Sequence, residues 1–423
     1  MKKFCMSVLL FVSILNLSEM GYTNGITYSP NQSAEYVRMP SRNASTEGDA
    51  VFYNPAGTTE FSDGFTFYAS NQMLFQRRYY EDDSSSFPGA TVKLHDEYKT
   101  KGNIYLFPNF YAVYKKDRLS GFAGAGPIGG AGSAEYDNGL PSMYWATFKK
   151  IYNTNPAFVS LTTSLEQDLE GTSRYLMGQV GGAYRINEVI SLALAGRYVY
   201  GYENYEGEIT TVIAGTSSTS HLDSTLTGDG FGIATGINLR LMKEMNIGVR
   251  YEWFSELEVK ADTKKDDFGM FPDGSKYKRT IPQVIGVGLG YSILPELKTI
   301  ISFNYILNAE LDHDGREDNY RNSLDAGIGL EYTINPAVRV STGYLYSQGG
   351  KKKEGNTELD QLLDYHSVGI GGVYVIGSNV EFSIGYNHTK YMDEKINSAS
   401  SAGTVTMSRT NEQIAVGITF KGV

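Results

Sequence analysis

The sequence is poor in cysteine, tryptophan and proline, and after its first residues it has no long hydrophobic run. Among 423 residues there are 1 Cys, 2 Trp and 12 Pro. One cysteine cannot form an intramolecular disulfide, so a disulfide-stapled scaffold is excluded. Beyond residue 20 no apolar run approaches the length of about 18 residues that a membrane-spanning helix needs. Helical membrane spans are therefore excluded as well.

Positive charge is scarce relative to negative charge. The chain has 37 Lys and Arg residues against 47 Asp and Glu residues, a formal net charge of −10. Because no basic stripe appears, nucleic acid is excluded as a partner. What is abundant is Gly (47), Tyr (32) and Phe (20). Small and aromatic side chains in this proportion favour many strands over helices.

The amino-terminal segment is typical of an export signal. Lys2 and Lys3 form a charged region, and residues 4–17 form an apolar stretch too short to span a bilayer with proper flanks. We expect residues 1–24 to be removed, with cleavage between Met20 and Ile26. Cys5 would leave with this segment, so the exported chain would contain no cysteine.

From Gly64 onward the chain consists of segments with alternating polarity. Val380, Phe382, Ile384 and Tyr386, for example, alternate with small or polar residues. Since successive strand side chains point to opposite faces, one face of this segment is apolar. The segments 231–240, 285–292 and 324–333 show the same pattern. Alternation predicts strands, although a soluble sandwich could show it too.

The connections between these segments distinguish the two folds. We predict 14 strands, at residues 64–80, 101–116, 118–130, 172–186, 189–212, 222–241, 244–261, 278–293, 296–311, 320–334, 337–349, 363–377, 379–395 and 403–421. Joins of about two residues alternate with long polar loops such as 81–100, 131–171 and 262–277. Short turns on one rim and long loops on the other are typical of an antiparallel transmembrane β-barrel, whereas a soluble sandwich has no reason to segregate them. We therefore predict an all-β outer-membrane barrel over residues 64–423.

Residues 25–63 precede the first strand and do not alternate. They include the stretch GDAVFYNPAG, which ends at Gly57. Here the chain resembles the FadL/TodX family of outer-membrane channels for long-chain fatty acids and aromatic hydrocarbons. The resemblance implies an amino-terminal hatch that fills the barrel lumen, and Asn54, Pro55 and Ala56 match the family's Asn-Pro-Ala hatch motif. The alternative for the motif is an ordinary type I turn, and both interpretations can hold together.

The third predicted strand contains Gly126, Pro127 and Gly129. Proline cannot donate a ladder hydrogen bond and glycine supports kinks, so the strand is expected to bend within the wall. The resemblance implies a lateral opening at such a kink, through which a hydrophobic cargo would leave. The alternative is that Pro127 already lies at the outer rim, where the strand ends.

The loop 131–171 carries Tyr144, Trp145, Phe148 and Tyr152 at helical spacing. The resemblance implies that an outer loop with helices forms a first capture groove for the ligand. The alternative is that these aromatic residues only pack the loop onto the barrel rim.

Other site classes have weaker support. The charged stretch 312–318 could hold a cation, although a solvated loop tip is the simpler interpretation. The five histidines, at positions 95, 221, 313, 366 and 388, are dispersed and no nucleophile elbow is present, which argues against a hydrolase. Five arginines could contact a ligand carboxylate, and the sequence does not choose among them: Arg174, Arg197, Arg240, Arg250 and Arg339.

Together these observations predict a passive outer-membrane channel for long-chain fatty acids or other hydrophobic small molecules. No enzyme activity, cofactor or metal is implied. The expected partners are the cargo, outer-membrane lipids and the barrel assembly machinery, which would recognise the last strand with its aromatic Phe420. The resemblance implies a monomer. A general porin or a structural surface barrel is the alternative.

Overall fold

The computed structural model describes residues 28–136, 138–312, 317–358, 361–397 and 403–422. The predicted signal peptide, residues 1–24, lies outside the described residues. So do residues 313–316, which form most of the charged stretch that was considered as a cation site, and with them His313. No helix in the described part of the chain is long and apolar enough to cross a membrane.

In the described part of the chain the fold consists of eighteen strand segments. In chain order they are β1 (Gly64–Asp82), β2 (Glu97–Ile104), β3 (Asn109–Lys116), β4 (Leu119–Tyr136), β5 (Thr162–Arg185), β6 (Ile190–Ile213), β7 (Thr216–Met242), β8 (Met245–Phe254), β9 (Leu257–Asp266), β10 (Lys276–Arg279), β11 (Val284–Leu294), β12 (Leu297–Ile306), β13 (Ser323–Asn335), β14 (Val338–Gln348), β15 (Tyr365–Ile376), β16 (Val380–Tyr391), β17 (Glu394–Asn397) and β18 (Thr404–Lys421).

These segments form fourteen wall strands, because four strands are each interrupted once. The interrupted strands are β2/β3, β8/β9, β10/β11 and β16/β17. Every wall strand is antiparallel to its neighbours, and β1 pairs with β18 from Thr66↔Lys421 to Asp82↔Val405. The sheet therefore closes into a barrel, as the sequence predicted. Closure satisfies the backbone hydrogen bonds that lipid cannot accept.

Short turns gather at one rim, as predicted, but two expectations about the other rim are wrong. The loop expected between residues 212 and 222 is a hairpin, in which β6 and β7 pair up to Ile213↔Thr216. Ala214 and Gly215 have positive φ values of 49° and 78°, which suits a tight two-residue turn. In addition, β5 begins at Thr162 and not near residue 172. These extensions carry mostly polar residues, so they lack the apolar alternation that marks the membrane-embedded part.

The exterior of the barrel is apolar. Phe382, Ile384 and Tyr386 are 40–59% exposed. Ser383 and Asn387, which alternate with them along the strand, are buried. Large exposed apolar side chains occur in the same way around the barrel, including Phe67, Phe110, Leu176, Leu194, Phe231, Phe303, Ile328, Ile370 and Val416. A soluble protein would not leave this much apolar surface in contact with water. The exterior is therefore the lipid-facing surface of a transmembrane barrel.

The segment before β1 fills the lumen. It contains α1 (Ala34–Arg38), α2 (Ala50–Tyr53) and a 3-10 helix at Pro55–Glu60, and nearly every side chain in these three elements is buried. Ser33 caps α1 by accepting a hydrogen bond from the backbone N–H of Tyr36 at 2.9 Å. Pro55 occupies the first position of the 3-10 helix, where its missing N–H has no cost. The predicted plug is present.

Outside the barrel, the loop between β4 and β5 forms two helices. They are α3 (Pro141–Thr154) and α4 (Pro156–Leu161). Each begins with a proline at its amino end, where a fixed φ favours helix initiation. The spacing of the aromatic residues predicted a helix in this loop, and α3 confirms that prediction.

Candidate functional site

The Asn-Pro-Ala motif lies between the plug and the wall. The side-chain amide of Asn54 donates to the backbone oxygen of Ser45 at 3.0 Å and to Oδ1 of Asn238 on β7 at 2.9 Å. Pro55 lies against Gly236 so closely that a Cβ atom there would approach Pro55 Cγ to 2.9 Å. Ala56 is fully buried. The motif is also a turn, as predicted, because Gly57 N–H donates to Asn54 O at 2.7 Å. Its role as a hatch motif stays a prediction.

A first group of buried charges joins the plug to β13 and β14. Within the plug, Arg42 Nε donates to Oδ2 of Asp49 at 2.9 Å. Arg38, which is fully buried, contacts Glu331 Oε2 on β13 at 2.6 Å. Burial alone would raise the pKa of Glu47, but the guanidinium groups of Arg42 and Arg38 hold it well below its ordinary value. This part of the plug is held by charge pairs that are shielded from water.

A second group joins the plug to β6 and β8. Glu252 is fully buried and forms ion pairs with Arg197 and with Arg250, the latter at 2.6 Å. Arg250 also donates to the backbone oxygen of Tyr53 at 2.8 Å. Both guanidinium groups lie 5.2 Å from the centre of the Phe52 ring. The plug's α2 is thus held between two cations that share one carboxylate.

The Gly/Pro run lies in the wall and not at the rim. β4 continues nine residues beyond Pro127, to Tyr136, so the alternative that the strand ends at Pro127 is wrong. The register between β4 and β5 shifts between Pro127 and Gly129 and again between Gly129 and Gly132. Gly130 and Gly132 have positive φ values of 102° and 69°, a conformation that favours glycine. The strand is therefore kinked within the barrel wall.

On its other side the kinked segment has lost its strand partner. β4 pairs with β3 as far as Phe110↔Ala125 and pairs with β2 again only at Lys101↔Glu135. Between these points, within the described residues, segment 126–134 has no partner strand on that side. The neighbouring wall strand is itself interrupted at 105–108, between β2 and β3. The hydrogen-bonded ladder between the second and third wall strands is thus interrupted, and we call this interruption the gap.

The start of the plug lies against this gap from inside. Tyr28 forms an isolated antiparallel bridge with Gly129. Ser29 N–H donates to Ile128 O at 3.0 Å, and Gln32 Nε2 donates to Pro127 O at 2.6 Å. Plug residues therefore satisfy part of the backbone that the kink leaves unpaired.

A cavity of about 310 Å³ lies beside the gap. Plug residues 28–31 form one part of its lining, and residues 127–132 of β4 together with residues 104–108 form another. Leu74, Gln76, Tyr391 and Arg409 belong to the lining contributed by β1, β16 and β18. Apolar and polar side chains both face this space, and both edges of the gap border it.

The aromatic residues of α3 pack against the neighbouring loop. The Phe87 ring centre lies 5.2 Å from that of Trp145 and 5.7 Å from that of Phe148. Tyr144 donates a hydrogen bond to the backbone oxygen of Val92 at 2.8 Å. Tyr152 is half-exposed. These aromatic residues therefore do pack their loop against a neighbouring part of the protein. Their role in capturing a ligand stays a prediction.

The five arginines considered for a ligand carboxylate differ in their surroundings. Arg197, Arg240, Arg250 and Arg339 each form an ion pair with a glutamate. Arg174 is exposed and lines the cavity. Sequence reasoning missed Arg409, which also lines the cavity, because nothing in the local pattern places it there.

A closed antiparallel barrel with an apolar exterior and an amino-terminal segment inside its lumen is a plugged outer-membrane β-barrel. Comparison with solved structures shows the same fold in proteins that include transporters of hydrophobic molecules. A Pseudomonas aeruginosa FadL homologue superimposes with a TM-score of 0.71 at 11% identity, over 93% of this chain and 99% of that one. The Pseudomonas putida toluene transporter TodX gives 0.66 at 14% identity, over 93% and 99%.

The Ralstonia pickettii toluene transporter TbuX gives a TM-score of 0.59 at 15% identity, with 93% of this chain and 99% of that one covered. No protein-family model matches the sequence. No curated protein matches it either. The likeness at these identities establishes a shared fold, including the architecture that the FadL/TodX resemblance implied.

Proposed function

We propose that the protein is a passive outer-membrane channel that takes up hydrophobic small molecules. In this proposal residues 25–63 act as the hatch, residues 64–423 form the barrel and the chain works as a monomer. Cargo enters from the outer loops, occupies the cavity beside the plug and leaves through the gap in the wall. Diffusion down a gradient drives the passage, so no ATP or redox cofactor is required.

The observation that carries this proposal is the cavity bordered by both edges of an unpaired gap. Unsatisfied backbone groups facing lipid cost several kcal/mol each. A gap at 126–134 is therefore expensive to keep unless it serves a purpose. Lateral exit of an apolar molecule is such a purpose, because the molecule would pass into the bilayer without entering water. The toluene transporter TodX, which shares this fold, supports a hydrophobic cargo.

Hatch movement would open the path. Within the described residues, Tyr28, Ser29 and Gln32 at the start of the plug contact the kinked segment of β4 directly. A few net hydrogen bonds, each worth about 0.5–1.5 kcal/mol, hold this end in place. The charge pairs at Arg38 and Arg250 hold the rest of the plug. We therefore place the moving part at residues 28–32 and the fixed part at 38–54.

A cysteine pair tests whether movement of the fixed part is needed. A Cβ atom at Gly290 would lie 3.4 Å from Cβ of Ala44, close to the 3.5–4.5 Å range of disulfides. The Ala44→Cys/Gly290→Cys variant should form a disulfide that locks the plug to β11. Uptake of radiolabelled toluene and palmitate by cells should be retained when the pair is oxidised. The two single-cysteine variants are the controls. Loss of uptake on oxidation and recovery on reduction would show that the whole plug moves.

A labelled cysteine tests the lateral exit. Leu106 lies at the interruption of the second wall strand and is 78% exposed. A bulky maleimide on Leu106→Cys should obstruct the gap and reduce uptake severalfold. Leu194→Cys offers a matched control, because Leu194 is 60% exposed on a continuous part of the wall. Equal uptake by the two labelled proteins would contradict exit through the gap.

Conductance separates this channel from a general porin. A barrel filled by residues 28–60 should pass few ions in a planar bilayer, and deletion of that segment should raise the conductance strongly. An intact protein that conducts like an open porin would contradict the hatch. No observation on the described residues favours a hydrolase.

A further inference from the structure

Asp325 is a buried acidic residue of the lumen without a cationic partner. It lies on β13 and is only 2% exposed. Among the described residues, no lysine, arginine or histidine forms an ion pair with it. Four other buried carboxylates of the lumen are different, because each is paired with an arginine: Asp49, Glu203, Glu252 and Glu331. Asp325 is thus not held in the barrel by an ion pair of this kind.

One oxygen of the Asp325 carboxyl group also lacks a hydrogen bond. Asn304 Nδ2 donates to Oδ2 at 3.4 Å, and Ser347 hydrogen-bonds to the carboxyl group as well. Oδ1 has no partner in the part of the chain that the structure describes. A buried acceptor that is left unsatisfied costs free energy, which a bound donor would recover.

Asp325 borders the cavity beside the plug. Tyr36 of α1 and Tyr365 of β15 line the same cavity, and both lie close enough for the charge of Asp325 to act on their hydroxyl groups. The carboxyl group therefore lies where the plug and the wall meet. A molecule that fills the cavity meets Asp325 on this side.

Two further polar atoms of the same lining are unsatisfied. Oδ1 of Asn31 in the plug and Nδ2 of Asn387 on β16 have no hydrogen-bond partner among the described residues. Both residues line the cavity together with Asp325. A hydroxyl group donates to an acceptor and accepts from a donor, whereas a hydrocarbon does neither. The polar side of the cavity therefore fits a cargo that carries hydroxyl groups.

The charges of the lining favour a neutral cargo. Besides Asp325, the charged residues among those that line the cavity are Arg174 and Arg409. Two cations in the same lining disfavour a cationic cargo, and a negative group beside Asp325 would face a like charge. Leu106 and Leu176 line the cavity at the gap and suit an apolar body. A neutral hydroxyl group on such a body satisfies both sides.

We propose that the cavity selects apolar molecules that carry a neutral hydroxyl group, whose hydrogen is accepted by Oδ1 of Asp325. This inference rests on the proposed function and adds a preference for alcohols over hydrocarbons and ethers. Aliphatic alcohols and phenols share the required chemistry. Asp325 is in this view a specificity-determining residue of the channel.

Binding of matched alcohols and ethers to the purified full-length protein tests the preference. Decanol is compared with its methyl ether, and para-cresol with its methyl ether, in amine-oxide micelles, which carry no hydroxyl groups that compete. Equilibrium dialysis against protein-free micelles corrects for partitioning. At least one alcohol should bind about tenfold or more tightly than its ether, because the ether cannot donate to the carboxyl group. The pair that shows the preference identifies the aliphatic or the aromatic class. Equal affinities within both pairs would overturn the proposal.

Substitutions assign the preference to Asp325. Asp325→Leu removes the acceptor, so the ratio of alcohol to ether affinity should fall to about one. Asp325→Asn supplies a neutral acceptor and should restore a ratio of about three, since neutral hydrogen bonds are weaker than charge-assisted ones. Asp82→Leu is the matched control, because Asp82 also has an oxygen without a partner among the described residues but is not part of the cavity lining. A preference that survives Asp325→Leu, or that the control loses equally, would overturn the assignment.

A purely structural role for Asp325 makes a different prediction. In that case Asp325→Leu would weaken alcohol and ether binding together and leave their ratio unchanged, which overturns the proposal. Uptake by cells that express the barrel separates this inference from the channel itself. If neither alcohol nor ether enters faster than in cells without the barrel, the channel function fails with it. If both enter equally fast through the barrel, the channel stands and only the hydroxyl preference is rejected.

Discussion

Glu252→Gln is the substitution expected to release the plug most effectively. The Glu252 carboxylate is fully buried and serves Arg197, Arg250 and the hydroxyl of Tyr28, which donates to it at 3.1 Å. Glutamine has nearly the same shape but no charge. After the substitution two buried guanidinium groups lack a counter-charge, and one of them, Arg250, is the group that holds the backbone of α2 at Tyr53.

The size of the effect follows from the burial. Leaving a buried ion pair without one partner costs on the order of 3–5 kcal/mol. The cost is relieved if the plug undocks and water reaches the arginines. Since about 1.4 kcal/mol corresponds to a factor of ten, the undocked fraction should rise by a factor on the order of 10²–10³. This rise should appear as frequent openings in single-channel recordings.

Glu381→Gln is the matched control. Glu381 contacts Arg339 at 3.2 Å in a partly exposed position. After its substitution Arg339 still has Glu331 at 3.4 Å and Glu47 at 3.8 Å, so no buried cation is left unpaired. The other cation that contacts Glu381, Lys421, is half-exposed and reaches water. The expected change is below about 1 kcal/mol. If Glu252→Gln opened the channel no more often than Glu381→Gln, the view that buried charge pairs hold the plug would be refuted.

Two further substitutions make independent predictions. Gly236→Val should push the plug away at Pro55, where a Cβ atom already approaches to 2.9 Å, and raise the conductance, whereas Gly196→Val, with open space around it, should not. Glu358, whose carboxylate accepts from Ser142 N–H at 3.1 Å, has its pKa raised by burial to about 7. Its contribution to docking α3 is therefore complete below the ordinary carboxyl pKa and is lost as the pH rises through about 7. The protection of the α3 amides from hydrogen exchange, measured relative to the intrinsic rate at each pH, should fall between pH 5 and pH 8, and Glu358→Gln should remove that fall in protection.

The number of wall strands and the face that each presents to lipid could be read from the sequence. Alternation such as that of Phe382, Ile384 and Tyr386 depends only on neighbouring residues, because a strand places every second side chain on the same side. The position of the plug could be predicted from the Asn-Pro-Ala motif. Strand interruptions such as 105–108 could not, because residues there are as apolar as those in the continuous strands.

The polar extensions of the strands were also missed. Residues 162–171 and 216–221 belong to β5 and β7, but they are mostly polar and show no regular apolar alternation. The sequence interpretation of these residues as loop therefore failed for a physical reason. The strands pair there because the backbone hydrogen bonds between β5, β6 and β7 continue without a break beyond the apolar part of the barrel.

The sequence by itself determined an exported, strand-rich chain with a lipid-facing exterior and a non-alternating segment before it. Only the tertiary structure decided which charges meet. Arg38 and Glu331 are 293 positions apart, and Arg78 and Arg409 become neighbours only at the seam between the first and last strands. Contacts of this kind depend on the register in which the barrel closes, and no local pattern of residues encodes that register.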